Sequence, residues 1–166
     1  MSATEVTAGT KIVRRSPNPQ PSRVTADICV VGSGAAGMSA AIEGARAGRK
    51  VVLVDGMPAL GGQAVNSIIA TFCGLFSNGS DGYQFTHGIA DEILRDLGAQ
   101  ENALFYRRGP NTTVVYYDEI ALGRWVEKAM LAAGVTVIVG AVMRNVRVKG
   151  RRVTGLDIST RYGDVE

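Results

Sequence analysis

The chain has 166 residues, 46% hydrophobic and 20% charged, with a formal net charge of +3. That length and apolar content suit one domain with a modest core and exclude a chain disordered by composition. Its basic residues are scattered apart from pairs such as Arg14-Arg15, Arg107-Arg108 and Arg151-Arg152, without an aromatic-interleaved basic stripe, so nucleic-acid binding is not favoured.

Residues 1–24 read as an irregular arm, rich in Ser and Thr, with Pro17, Pro19 and Pro21 alternating. Such a segment is either disordered or laid extended over a neighbouring surface. It holds no apolar core of a signal peptide, and no run in the chain is long and apolar enough to span a membrane. The expected domain covers residues 25–166. Its first strand, 28–31, holds Cys29, expected as a small buried apolar residue. Cys73 stands in a separate region. Two cysteines make neither a disulfide framework nor a zinc pattern; no metal site is expected, and a reducing, cytoplasmic setting is.

The first strand runs directly into Gly32-Ser33-Gly34-Ala35-Ala36-Gly37. Each glycine of this G-x-G-x-x-G spacing has a distinct physical role. Gly32 turns the chain sharply off the strand, Gly34 lets the backbone approach a pyrophosphate, and Gly37 lets a helix pack tightly on the strand. Small residues continue at helical spacing with Ala41 and Gly48. A second apolar run, 51–54, ends on Asp55, close to the expected distance of about 20 residues from the glycines. A helix N-terminus offers free N–H groups and partial positive charge to phosphates. Asp55 is placed to accept from a ribose 2′-hydroxyl, which favours FAD or NAD over NADP.

A second Gly-rich loop, residues 56–64, follows, and residues 78–82 form another loop. Residues 83–97 read as a helix with Ile89, Ile93 and Leu97 on one stripe and Gly98 ending it. A short β-rich run covers 112–117. Asp118 then reads as an N-cap for a helix whose stripe is Leu122, Trp125, Val126, Ala129, Met130 and Ala133, stopped by Gly134. Trp125 is expected in the core. Residues 135–139 suit a buried parallel strand. Two further runs, 142–149 and 152–159, are joined by a turn at Gly150. In the first, Val142, Val146 and Val148 share a face expected to meet the core, and Arg144 breaks the alternation.

Taken in order, the glycine fingerprint, Asp55, the 60–64 loop, the stretches 71–76, 88–93 and 117–119, and the closing strand and hairpin resemble the FAD-dependent oxidoreductases of the glutathione-reductase-like superfamily, nearest its fumarate-reductase-flavoprotein-related group. The resemblance runs from about Ala26 to the last residue. It implies an α/β fold: a Rossmann-like FAD-binding domain with a parallel sheet and a β-meander. By this resemblance Gly32, Ser33, Gly34 and Ala36 line the pyrophosphate, and Asp55 binds the adenosine ribose with Gly56 and Met57 beside it. Gly61, Gly62, Gln63 and Ala64 pass the pyrophosphate, ribitol and flavin ring. Val142 either meets the adenine through its backbone or is an ordinary strand valine. No histidine stands between Gly61 and Asn66, where some relatives attach flavin covalently, so FAD is expected to be non-covalent.

In the family, the meander has three strands, and the third leads back into the sheet toward a Gly-Asp element. Here the meander is expected to stop after two strands, leaving an unpaired edge and an open apolar face. The expectation is that the fold is incomplete alone and that a second polypeptide completes the FAD and substrate domains. That chain is either a separately encoded subunit or the other product of cleavage near Glu166. The leading function is the FAD-binding part of a heteromeric oxidoreductase that takes a hydride from a small organic substrate. The alternatives are an NAD-binding reductase module and a non-catalytic subunit that retains the nucleotide fold.

The pattern names no catalytic base. His87, the chain's one histidine, reads first as a helix-start or surface residue and second as a group on the substrate side. Cys73 reads first as a buried structural thiol, because no second cysteine stands at redox-pair spacing. Gln63, Asn66 and Ser67 either bond flavin or substrate or stabilise their own loop.

Overall fold

The computed structural model describes residues 20–79 and 81–166. Most of the expected arm, including Pro17 and Pro19, lies outside the described residues. The fingerprint builds a strand, a turn and a helix: β1 (Ile28–Val31), α1 (Ala35–Arg46) and then β2 (Val51–Val54). β2 is the centre of a parallel sheet ordered β1-β2-β6, with β6 at Thr136–Ile138. Val31 pairs with Val54, and Val54 with Ile138, so the strands end level with one another.

All four residues of β2 are buried, and the pleat divides them between two cores. Val51 and Leu53 join Met38, Ala41 and Ile42 of α1 in the larger cluster. That cluster also takes Ile93 and Leu97 of α3 (Ile89–Gly98) and Leu122, Val126 and Met130 of α4 (Glu119–Ala133). Val52 and Val54 pack instead with Ala141 and Ile158. These last two belong to a meander of β7 (Ala141–Lys149), β8 (Arg152–Thr160) and β9 (Gly163–Val165). The sheet is thus sandwiched between helices and meander, as expected for the Rossmann-like class. A short helix, α2 (Gln63–Asn66), leads to a third sheet ordered β3-β5-β4, from β3 (Thr71–Phe72), β4 (Leu104–Arg108) and β5 (Thr113–Tyr117).

Local signals explain the helix ends. Asp118 caps α4 by accepting the Ala121 N–H at 2.7 Å, and Gly134 closes that helix in the left-handed conformation. Trp125 is in the core, and its Nε1–H reaches Asp96 on α3 at 2.9 Å. α1 and α3 are joined by a bidentate pair, Arg46 to Glu92, at 2.6 and 2.8 Å.

Several expectations are corrected. The helix expected over 83–97 begins at Ile89. Residues 83–87 are instead drawn along the 75–77 segment, with Phe85 N–H donating to the Leu75 carbonyl and a bridge between Phe76 and Gln84. Asp91 accepts the Gly88 N–H at 2.9 Å and so starts α3 at that point, and the helix is capped at Ala99, one residue past Gly98. Cys29 and Cys73 are both exposed free thiols. Cys29 lies on β1, which pairs with β2 on one side and is the sheet edge among the described residues on the other. β6 is an edge strand too, half-buried at Val137 and Ile138.

The valines of β7 do not face the core: Val142, Val146 and Val148 are exposed. Arg144, the residue that broke the alternation, is a β-bulge. Met143 pairs with Ile158 and Asn145 with Asp157, leaving Arg144 extra and resetting which side chains share a face. The meander also holds more than two strands. Residues 163–165 pair antiparallel with β8 as β9. The other side of β9 is taken by the described end of the arm, which runs parallel to it. Ser22 N–H donates to Asp164, Glu166 N–H to Ser22 and Val24 N–H to Glu166, at 3.0, 2.9 and 2.8 Å.

Candidate functional site

The turn after β1 is held to the end of β2. Gly32, at φ 98°, donates its N–H to the Val54 carbonyl at 2.8 Å. A Cβ at Gly37 would overlap the Gly32 carbonyl oxygen, so α1 can lie this close to the strand only with hydrogen at that position. Gly34, the N-cap, is different: its φ is −62° and a Cβ there would meet nothing within 4 Å. Among the described residues no side chain caps α1, and its first helical bond is Met38 N–H to Gly34 O at 2.9 Å. The N–H groups of residues 35–37 therefore precede the helical ladder and point out of the helix end.

Asp55 closes the same space from the end of β2. Its buried carboxylate accepts the Ser33 N–H on Oδ2 at 2.6 Å and the Met57 N–H on Oδ1 at 2.7 Å. Burial pushes this carboxyl up, but the hydrogen bonds from Ser33 and Met57 outweigh it and hold the group below the usual carboxylate range. Each oxygen retains acceptor capacity for a further donor.

The second glycine loop is seated on the first. Ser33 is fully buried, and its carbonyl and hydroxyl oxygens share the Gly61 N–H, both at 3.2 Å. Gly62, at φ 55°, lies so near that a Cβ would stand 2.6 Å from Gly34 Cα. α2 is then fixed from behind, where the Tyr117 hydroxyl donates to the Ala64 carbonyl at 2.9 Å and Asn66 Nδ2 donates to the Gly62 carbonyl at 3.0 Å. On the other flank, Ala141 N–H donates to the Asp55 carbonyl at 3.0 Å and Gly140 N–H to Met57 at 3.2 Å. Val142, exposed, is the next residue along and stands beside the 55–57 segment.

One connected surface therefore gathers Gly32, Ser33, Gly34, Asp55, Met57, Gly61 and Gly62, with Val142 adjoining. Ala36 and Gln63 are exposed at the starts of their helices, and Gly56 is exposed next to Asp55. Asn66 bonds within its own loop, as does Ser67, which donates to the Gln63 carbonyl. His87 and Cys73 take no part in this surface: His87 stands two residues before α3, and Cys73 follows β3. Two structural roles were not read from the sequence. The Ser33 side chain is a buried tie between the loops rather than a surface lining, and Tyr117 anchors α2. A small hydroxyl inside the G-x-G spacing was the signal available for Ser33; nothing local marked Tyr117.

Strand, tight glycine turn, uncapped helix N-terminus and a carboxylate on the neighbouring strand together define a dinucleotide-binding unit. The chain matches the model of the family described as FAD dependent oxidoreductase over residues 27–166 and belongs to that family. A thioredoxin reductase of Mycolicibacterium smegmatis is 31% identical over 143 residues, covering 84% of this chain and 43% of that protein. Among solved structures, THI4 of Thermovibrio ammonificans superposes with a TM-score of 0.54 at 23% identity, over 81% of this chain and 48% of that one. A 3-ketosteroid-Δ4-(5α)-dehydrogenase of Rhodococcus jostii superposes with 0.57 at 17% identity, over 99% and 45%. These structural similarities bear on the fold. The chain spans less than half the length of each of these proteins. FAD is the cofactor of the family, and the site fits it: the space over Gly34 is open, the helix end is free of a side-chain cap, and Asp55 is ionised beside it.

Proposed function

We propose that this chain is the FAD-binding part of a flavin-dependent oxidoreductase that takes a hydride from a small organic substrate, with FAD held non-covalently. Gly34 carries the reading: it is a glycine where a side chain would meet none of the described residues, placed where a ligand backbone would pass. The N–H groups ahead of the α1 ladder would face the pyrophosphate, Asp55 the adenosine ribose, and Val142 the adenine. Gly61 to Ala64 would flank the ribitol and flavin. When bound, FAD supplies the hydride-accepting ring; the protein orients it and excludes water.

We further infer that a second polypeptide completes the FAD and substrate domains. Its support is the edge of β1, which no described residue pairs and where Val31 is 52% exposed, together with the greater length of the related proteins. The parallel ladder of residues 22–24 with 164–166 lies on the meander and does not reach that edge. The two exposed thiols suit a reducing, cytoplasmic setting.

The test compares flavin content by absorbance in the wild-type assembly and in Gly34→Ala. The added methyl meets no protein atom, so the melting temperature of the apoprotein should hold while bound flavin falls at least tenfold. Unchanged flavin content, or a colourless wild-type protein that binds NAD, would overturn the proposal.

A further inference from the structure

A cavity of about 440 Å³ opens between α1 and α3, against β3. Its size falls in the range of small-molecule sites, about 300–1,000 Å³. Met38, Phe72, Leu75, Ile89 and Ile93 give it an apolar lining, to which Ala35, the residue after Gly34, also belongs. His87 is among the few polar groups lining it.

That histidine is held by a constructed array. Asp91 Oδ2 takes the Gly88 N–H at 2.9 Å, while Oδ1 faces His87 Nδ1 at 3.2 Å and accepts from Gln84 Nε2 at 2.6 Å. Gln84 is itself oriented by a second bond, to the Thr86 carbonyl at 2.7 Å. The Gly88 N–H, with His87 and Gln84, holds the Asp91 carboxyl below its ordinary range, so it is an acceptor only. Its neighbour Nδ1 is then the donor of that pair, and in the tautomer this bond selects Nε2 is the acceptor. Glu43, also in the lining, is paired with Arg46 at 3.0 Å.

We propose that this cavity binds a small apolar organic molecule bearing a hydroxyl or N–H donor, and that His87 Nε2 accepts its hydrogen bond. As a substrate site the cavity rests on the oxidoreductase reading; as a binding site it does not.

The experiment titrates the purified protein with 2-naphthol and with 2-methoxynaphthalene, which has the same apolar body and no donor. Binding is followed by probe fluorescence. 2-Naphthol should bind about fivefold more tightly, the worth of one hydrogen bond at a partly exposed group. His87→Ala should lower 2-naphthol to the affinity of the ether and leave the ether unchanged. Ala90→Phe, at a half-buried lining position, should weaken both at least fivefold. The wild-type comparison needs no variant. Equal affinity of the two probes, or indifference of 2-naphthol to His87→Ala, overturns the proposal, as does indifference of both probes to Ala90→Phe. Flavin absorbance of the same preparation reports separately on the cradle. Donor-selective binding in a protein that takes no flavin would sink the flavin reading and sustain this one.

Discussion

A methyl group added at Gly34 and one added at Gly37 meet opposite fates, although the two glycines belong to one motif. At Gly34 it enters open space; at Gly37 it enters the Gly32 carbonyl. Gly37→Ala should therefore cost about 3 kcal/mol or more, the upper range for overpacking against a rigid neighbour, read by urea denaturation. The same melt should leave Gly34→Ala close to wild type. Asp55 makes a different kind of demand. Its two oxygens accept two backbone N–H groups, and an amide in its place offers only one acceptor oxygen. Asp55→Asn should lose about 2 kcal/mol, the scale of a hydrogen bond to a charged group, together with flavin retention.

At the scale of elements, the helices are tied by side-chain bonds whose strength depends on pH. Hydrogen bonding to Arg46 holds the Glu92 carboxyl below its ordinary value near about 4.3. The contribution of that pair is therefore fully present above about pH 4.3 and is lost as pH falls through the lower folded-state value. Because both partners are partly exposed, it should amount to about 0.5 kcal/mol. Glu92→Gln should be less stable than wild type at pH 7 by that amount, and the gap should close in acid. Elements with strong local signals were legible in the sequence: the Gly32–Gly37 turn, the Asp118 cap, and the Ile89-Ile93-Leu97 stripe. Those whose form depends on distant partners were not. Residues 83–87 look helical until their pairing with 75–77 is known. The two-residue β3 and the strand at 104–108 exist through β5. The valines of β7 are exposed, and alternation alone reveals neither the register shift at Arg144 nor the second one between Arg147 and Val148. For the site, glycines and Asp55 could be read locally, whereas Ser33 and Tyr117 act across 28 and 53 residues of chain.

For the molecule as a whole, the parallel sheet among the described residues ends at β1, an apolar strand with one side unpaired there. Such edges attract a partner strand. Hydrogen exchange of the β1 amides that face away from β2 should be fast in this chain alone and slow at least a hundredfold in the completed assembly. Equal rates in both states would count against a completing strand at this edge. The segment 22–24 lies far in sequence from 164–166, yet the two run side by side in the same direction, joined by three backbone bonds and an Arg23–Glu166 pair. Tension applied to the chain before residue 22 and after residue 166 would slide these strands along each other. The bonds would carry such a load together, in shear, rather than opening in turn like a zipper. Loaded in that direction, the junction would act as a clasp between the two segments.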